Sequence, residues 1–351
     1  MTGISDLILA AQTSPPKPII QGLLNESEIA GLHGVPEVFK TIFCLQLAES
    51  LASGAPLLGT WQVPKPQHVY FFETEMSVPA LGLRLAKMFA HRTAPDRIHF
   101  ADEARLRKFR RAPDLKSKFA LLSEWMAEVK PDVLIIDTAN PFFRGKESPN
   151  DETMAGAFFD LLEATPASVK LFVRHNHKPR IDDQGGDAAT KIRGSGQFSD
   201  VPDLLLELHR IDKRTNEAAL SLSKFRHGTK RDDLELWLDT EELRLVPLPP
   251  VIYLLQPGAR SRHELGEGLA RRFGIQQRAA DALIKAQQRY LKERMSSHKV
   301  IYEIDWSAAR DAEWFGRVQG AGDTVGDMQG CISCSVSLGD TENASTLVLS
   351  G

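Results

Sequence analysis

The chain has 351 residues, with 43 Lys and Arg against 46 Asp and Glu for a net charge of −3, and is 42% hydrophobic and 25% charged. That is enough chain for two or three globular domains, and the near-neutral balance excludes a protein held to nucleic acid by overall basicity, so any such contact needs a local patch. Three cysteines exclude a disulfide framework, no apolar run approaches the ~20 residues of a membrane span, and residues 1–18 lack a basic stretch followed by an apolar core. A cytoplasmic protein without membrane contact is expected.

Residues 1–20 read as a lead-in, with Pro15, Pro16 and Pro18 breaking any helix. From 21 to 250, short β-rich runs (29–32, 69–72, 98–100, 133–136, 169–173) alternate with helical periods (41–52, 79–91, 115–129, 152–164). Such alternation predicts an α/β fold, a mostly parallel sheet covered by helices on both faces. Apolar runs at 204–208, 218–225, 234–238 and 243–246 follow closely and read as antiparallel strands extending one sheet edge. Pro247-Leu248-Pro249-Pro250 marks a boundary. Residues 256–305 read as a compact unit. Leu265, Leu269 and Phe273 share one helical face, Gly274 ends that helix, a second helix is expected over 276–295, and 300–304 read as a strand. Two helices and a strand suggest a small winged-helix-like module. Residues 307–351, rich in Gly, Ser, Thr and Asp, read as a flexible tail; the lone Cys331-Ile332-Ser333-Cys334 has no second pair to complete a zinc site.

The run Gly34-Val35-Pro36-Glu37-Val38-Phe39-Lys40-Thr41 lies between the first strand and first helix of the alternation. It has the spacing of a phosphate-binding loop, with Phe39 where the last glycine normally stands. Backbone N–H groups and the helix N-terminus of such a loop cradle phosphates. Lys40 would reach the β- and γ-phosphates and the Thr41 hydroxyl would hold Mg²⁺, so ATP and Mg²⁺ are the expected ligands. Phe39 is compatible with this only if its backbone stays in an ordinary region and its ring packs away.

Four further segments follow in an order that nucleotide chemistry can use. The strand after His68 ends in carboxylates, of which Glu75 is placed to polarise an attacking water; the bland alternative is a pair of solvated strand-end acids. The run Asp132-Val133-Leu134-Ile135-Ile136-Asp137 ends in an acid suited to hold Mg²⁺ through its water shell. The strand from Val169 ends in Arg174-His175-Asn176-His177-Lys178, where His175 or His177 is a candidate γ-phosphate sensor. Lys224 and Arg226 alternate onto one strand face, from which they can cross a subunit boundary to a neighbour's γ-phosphate; the alternative is a basic edge that discourages aggregation.

The order and wording of these segments resemble the RecA-like P-loop ATPases of the plasmid RepA-type and DnaB-type hexameric replicative helicase group, over about residues 20–250. Some RepA-like members resemble this chain in having Phe at the last glycine position, and Leu51-Ala52-Ser53-Gly54 with Pro56, Leu58 and Gly59 is similar to a phrase of that group. The resemblance implies phosphate and Mg²⁺ roles for Lys40 and Thr41, a catalytic role for Glu75, a metal-side role for Asp137 and a finger role for Lys224 and Arg226. The family's His-His-x-x-Lys segment aligns on 174–178, so its first His is Arg174 here. Arg193-Gly194-Ser195 resembles a family Arg-Gly-Ser segment, but a second arginine about ten residues on is replaced near Asp203.

Single-stranded DNA contacts are expected from Arg180, Lys191 and Arg193, where RecA-like rings present channel loops. The C-terminal module adds a second candidate surface through Arg271, Arg272, Arg278, Lys285 and Arg289, since residues 258–304 carry ten Lys/Arg against five Asp/Glu, a net +5. The reading is an ATP-hydrolysing homo-hexameric ring on single-stranded DNA, a replicative helicase of a plasmid, phage or mobile element that works with an initiator or loader. Two alternatives stand beside it: a regulatory or defence-associated ATPase without helicase activity, and a nucleotide-dead DNA-binding protein.

Overall fold

The computed structural model describes residues 3–143, 148–176, 192, 194–212, 214, 216–228, 233–247, 249–255, 260–288, 291–296 and 299–304. Arg180, Lys191, Arg193, His177, Lys178, Arg289, Cys331, Cys334 and the tail from 307 lie outside them. The chain opens with helix α1 (Ile4–Thr13) and the short pair β1 (Pro18–Ile20) and β2 (Leu24–Asn25). The expectation of no helix in the lead-in is therefore corrected: the prolines at 15 and 16 end α1 rather than forbid it. Its residues are all exposed.

The alternation then runs as β3 (Ile29–Gly34), α2 (Lys40–Ser53), β4 (Val69–Glu73), α3 (Val78–Met88), β5 (Ile98–Phe100), α4 (Glu103–Arg111), α5 (Leu115–Val129), β6 (Val133–Asp137), α6 (Glu152–Glu163), β7 (Val169–His175) and the short α7 (Gln197–Asp200). Helix α4 is an addition to the expected elements; its run of Arg and Lys masks an apolar side of only Leu106 and Phe109. Next come β8 (Leu204–Asp212), β9 (Glu217–Phe225), β10 (Leu234–Asp239) and β11 (Arg244–Val246). All of β3–β11 form one nine-stranded sheet in the order β11-β10-β9-β8-β3-β7-β6-β4-β5. One expectation fails here: β8 pairs parallel to β3, and only β9, β10 and β11 are antiparallel. The long connection through 176–203 carries the chain back so that β8 starts in register with Ala30.

Strand β3 sits at the switch between β7 and β8, which leave it in opposite directions across the sheet. Open α/β sheets bind ligands at such a point, beyond the carboxyl ends of the strands. Even-numbered residues of β3, Ala30 and Leu32, face the core that holds α2. The opposite face is aromatic: Phe72, Phe109, Phe119, Trp125, Phe142, Phe158 and Phe198 pack with ring centroids mostly 5–6 Å apart. Interdigitation this tight leaves little room for backbone displacement.

Gly34, the first loop glycine, has a structural reason of its own. A methyl there would stand on the backbone carbonyl oxygen of Leu208 and close to Val38. Backbone cannot rotate aside as a side chain can, so β8 would have to separate from β3. Gly34→Ala is expected to lose about 3 kcal/mol or more of stability, read as a lowered urea midpoint at unchanged slope.

The C-terminal part comprises α8 (Pro250–Leu255), β12 (Arg260–Ser261), α9 (Arg262–Phe273), α10 (Gln277–Ala286), β13 (Leu291–Ser296) and β14 (Lys299–Ile304), with a sheet ordered β12-β14-β13. Helix, strand, two helices and a hairpin make the winged-helix arrangement. The expected second helix over 276–295 is too long: it ends at Ala286, and 291–296 pair with β14 instead. Ser261 and Glu264 form a capping box at the start of α9, and left-handed Gly274 closes it. Its core reaches into the large sheet through Trp237 and Val246.

Candidate active site

The loop between β3 and α2 is bent by two residues that are not glycine. Glu37 has φ 64° and Phe39 φ 66°. The expectation that Phe39 would keep an ordinary backbone is therefore corrected: it takes the left-handed conformation that the glycine would take, which costs an L-residue about 1–2 kcal/mol. The second half of that expectation matches the geometry. The ring leaves the loop, packs on the core and lies 4.4 Å from the guanidinium of Arg210 on β8. Arg210 also donates to the Glu37 carbonyl at 2.9 Å. Val35 and Pro36 complete the turn, and buried Val38 anchors it.

Lys40 opens α2, and its Nζ folds back to donate to the carbonyls of Gly34 (3.0 Å) and Val35 (2.6 Å). Burial pulls its ammonium down to about 8, against the opposing pull of Asp137, Cys44 and Glu75. A buried cation held only by carbonyls is poised to exchange them for a better anion.

Three acids face it. Asp137 ends β6, is 2% exposed and accepts from the Thr41 hydroxyl. Burial, then the charge of Glu73, push it up to about 7. Glu73 ends β4, where its Oε1 accepts from the backbone N–H of Glu75 and Met76 at 2.8 and 2.9 Å; burial raises it as well. Glu75 is half exposed. Its Oε1 accepts from the Thr138 hydroxyl at 2.9 Å and lies 3.8 Å from His175 Nε2, ion-pair range rather than a hydrogen bond. His175, then the Thr138 bond, outweigh burial and hold the Glu75 carboxyl below the usual range. One carboxylate is thus kept ionised and accessible while two others are buried and proton-hungry.

The site suits a hydrated divalent cation and a polyphosphate. Asp137 Oδ2 is buried with no hydrogen-bond partner among the described residues, which leaves it for a cation's water shell beside the Thr41 hydroxyl, and Lys40 supplies the matching positive charge. When bound, Mg²⁺ would offset phosphate charge there.

A family profile described as AAA domain (AAA_25) matches residues 4–180, half of the chain, including the loop and all of these acids. The chain belongs to this AAA domain family. Two solved structures are similar. The ATPase domain of a DnaB-type helicase superposes with a TM-score of 0.50 at 14% identity, covering 71% of this chain and 99% of that one. A KaiC-like protein from the hyperthermophilic archaeon Pyrococcus horikoshii OT3 gives 0.48 at 13% identity, covering 65% and 94%. No curated protein matches the chain. With a parallel sheet, the phosphate loop after its central strand and antiparallel edge strands, this AAA domain protein has a RecA-like P-loop fold, and its family supports ATPase activity and nucleotide binding.

In this AAA domain protein Lys224 and Arg226 are engaged within their own chain. Lys224 caps α7 by donating to the carbonyls of Ser199 (2.9 Å) and Asp200, and Arg226 pairs with Asp203 at 2.9 Å and donates to Asp200. A β-bulge places Lys224 there: Leu205 pairs with Lys224 but Leu206 with Leu222, so Ser223 is extra and the following side chains change face. Arg174 turns into the aromatic core, 4.1 Å over Phe198, rather than toward Glu75. Of the expected DNA contacts, Arg278 is exposed on α10. Arg271 is exposed but pairs with Glu241 at 2.9 Å. Arg272 is corrected: it is 13% exposed, bound to Asp239 at 2.6 Å and to Glu242 and Tyr253, and so joins α9 to the β10–β11 hairpin rather than facing DNA.

Several residues escape a reading of the sequence. Glu73, Thr138 and Arg210 carry no spacing rule. A polar row also crosses the sheet beside the loop, with Arg174, His33 and Glu207 in register. His33 lies 2.9 Å from Asn176 and 3.0 Å from Ser223, and Asn176 donates to Glu207 at 3.2 Å. The sequence does carry a signal, since His33 directly precedes the loop glycine and Glu207 interrupts an apolar run, but only strand register brings them together.

Proposed function

We propose that the chain is an ATP-hydrolysing ring motor on single-stranded DNA, of the replicative helicase type, assembled as a homo-hexamer in the cytoplasm and served by an initiator or loader protein. The observation that supports it most is the convergence of Lys40, Thr41, Asp137, Glu75 and His175 beyond the carboxyl ends of β3, β6, β4 and β7. Lys40 leaves the Gly34 and Val35 carbonyls to hold the β- and γ-phosphates; Thr41 and Asp137 hold Mg²⁺. Glu75, ionised near neutral pH, takes the proton of the attacking water, and His175 beside it registers the γ-phosphate. Lys224 and Arg226 exchange their carbonyl and Asp203 partners for a neighbouring copy's phosphate. Arg180, Lys191, Arg193, Arg278 and Arg271 meet the DNA backbone.

Steady-state ATP hydrolysis by wild type and Lys40→Ala, each with and without single-stranded DNA, tests this. Wild-type turnover should rise severalfold with DNA, and Lys40→Ala should fall at least a hundredfold in both conditions, the loss of a buried charge contact to the transferring group. Turnover indifferent to DNA would instead favour a regulatory ATPase. DNA binding equal in both proteins, with no hydrolysis, would favour a nucleotide-dead DNA-binding protein.

A further inference from the structure

We propose that Arg210 is the positioning residue of the phosphate loop, holding it in its phosphate-accepting shape in place of the missing glycine. The proposal rests on the nucleotide reading above. Two non-glycine residues of the loop, Glu37 and Phe39, are held left-handed, a conformation that persists only where the surroundings impose it. Arg210 touches both: its Nη2 donates to the Glu37 carbonyl at 2.9 Å and its guanidinium lies 4.4 Å over the Phe39 ring. A planar cation suits the pairing, since one face stacks on the ring while an edge donates. Among the described residues Arg210 forms no ion pair with a carboxylate, so the loop is what orients it.

The support behind Arg210 is rigid. It sits on β8, two residues beyond Leu208, whose carbonyl closes on Gly34 at the other end of the loop. One strand therefore fixes the loop at both ends. With glycine at position 39 the turn would form without help; with phenylalanine the ring must be placed outside, and the cation over it supplies the place. Phe39 and Arg210 are thus one device.

The test is a double-variant cycle with Arg210→Ala and Arg210→Lys in the wild-type and Phe39→Gly backgrounds. It reads Kd for a fluorescent ATP analogue, KM and kcat for ATP, and amide hydrogen exchange over residues 35–41. With Phe39 present, Arg210→Ala should raise Kd and KM about tenfold, the loss of one charge-assisted bond and its stacking, leave kcat within about twofold and accelerate exchange in the loop. Arg210→Lys should fall between, keeping the charge without the planar stack. In the Phe39→Gly background the same substitutions should move Kd less than about twofold. An equal loss in both backgrounds would make Arg210 a direct phosphate contact and overturn the proposal, as would unchanged Kd and exchange. If the wild type binds no nucleotide, the nucleotide reading fails by itself. Loop exchange then decides the clamp: acceleration by Arg210→Ala in the wild-type background but not in the Phe39→Gly background supports it, and unchanged exchange ends it.

Discussion

Glu75→Gln is expected to lower ATP hydrolysis by about two to four orders of magnitude, the range lost with a general base, while nucleotide affinity changes little. Glutamine keeps the shape and can still accept from the Thr138 hydroxyl, so the site stays assembled. What it loses is the negative charge and the ability to take a proton. Glu73 is the competing acid two residues away, and it differs in kind. It is buried, its Oε1 is committed to two backbone N–H groups that turn the chain after β4, and burial favours its protonated form. Glu73→Gln should therefore retain most turnover. Single-turnover hydrolysis with excess enzyme compares the two without interference from product release. A larger loss in Glu73→Gln than in Glu75→Gln would reverse the assignment.

Asp137→Asn is expected to abolish hydrolysis and at the same time stabilise the nucleotide-free protein. Burial and the neighbouring Glu73 push Asp137 up to about 7, whereas in an unfolded chain an aspartate titrates near 4. Between those values the folded chain holds a proton that the unfolded chain has released, so stability falls as pH rises through that window and levels off above about 7. Asparagine removes the penalty and keeps an acceptor for the Thr41 hydroxyl. Its amide also meets Glu73 and Glu75 without repulsion. The variant should melt several degrees above wild type at pH 8, worth roughly 1–3 kcal/mol, with the gap narrowing toward pH 4. Added Mg²⁺ and ATP should stabilise the wild type and not the variant. Melting curves over pH 4–8 with and without ligand check both parts; a variant less stable than wild type at pH 8 would show that the buried carboxylate is well solvated or paired.

Much of this is legible in the sequence because it is local. The apolar runs ending at Asp137 and the carboxylates after Phe72 announce buried strands with functional ends, and the limits of α5 and β5 follow from periodicity, capping Asp114 and short β-rich composition. The spacing from Gly34 to Thr41 names a phosphate loop whatever surrounds it. The sequence overextends helix α10 because a short apolar run that forms a hairpin strand looks like a continuing helix until it finds a partner in β14.

By its own order of residues, the sequence determined that this chain builds an alternating α/β sheet with a phosphate loop on an early strand and acids at the ends of later ones, since strand and helix periods and loop spacing are properties of neighbours along the chain. Only the tertiary structure decided that β8 runs parallel to β3, that the bulge at Ser223 turns Lys224 toward α7, that Arg272 braces a hairpin, and that Arg210 meets Phe39 from a distant part of the sequence. Those outcomes depend on pairing partners and on burial, and a side chain's charge, exposure and freedom are set by what packs against it rather than by what precedes it.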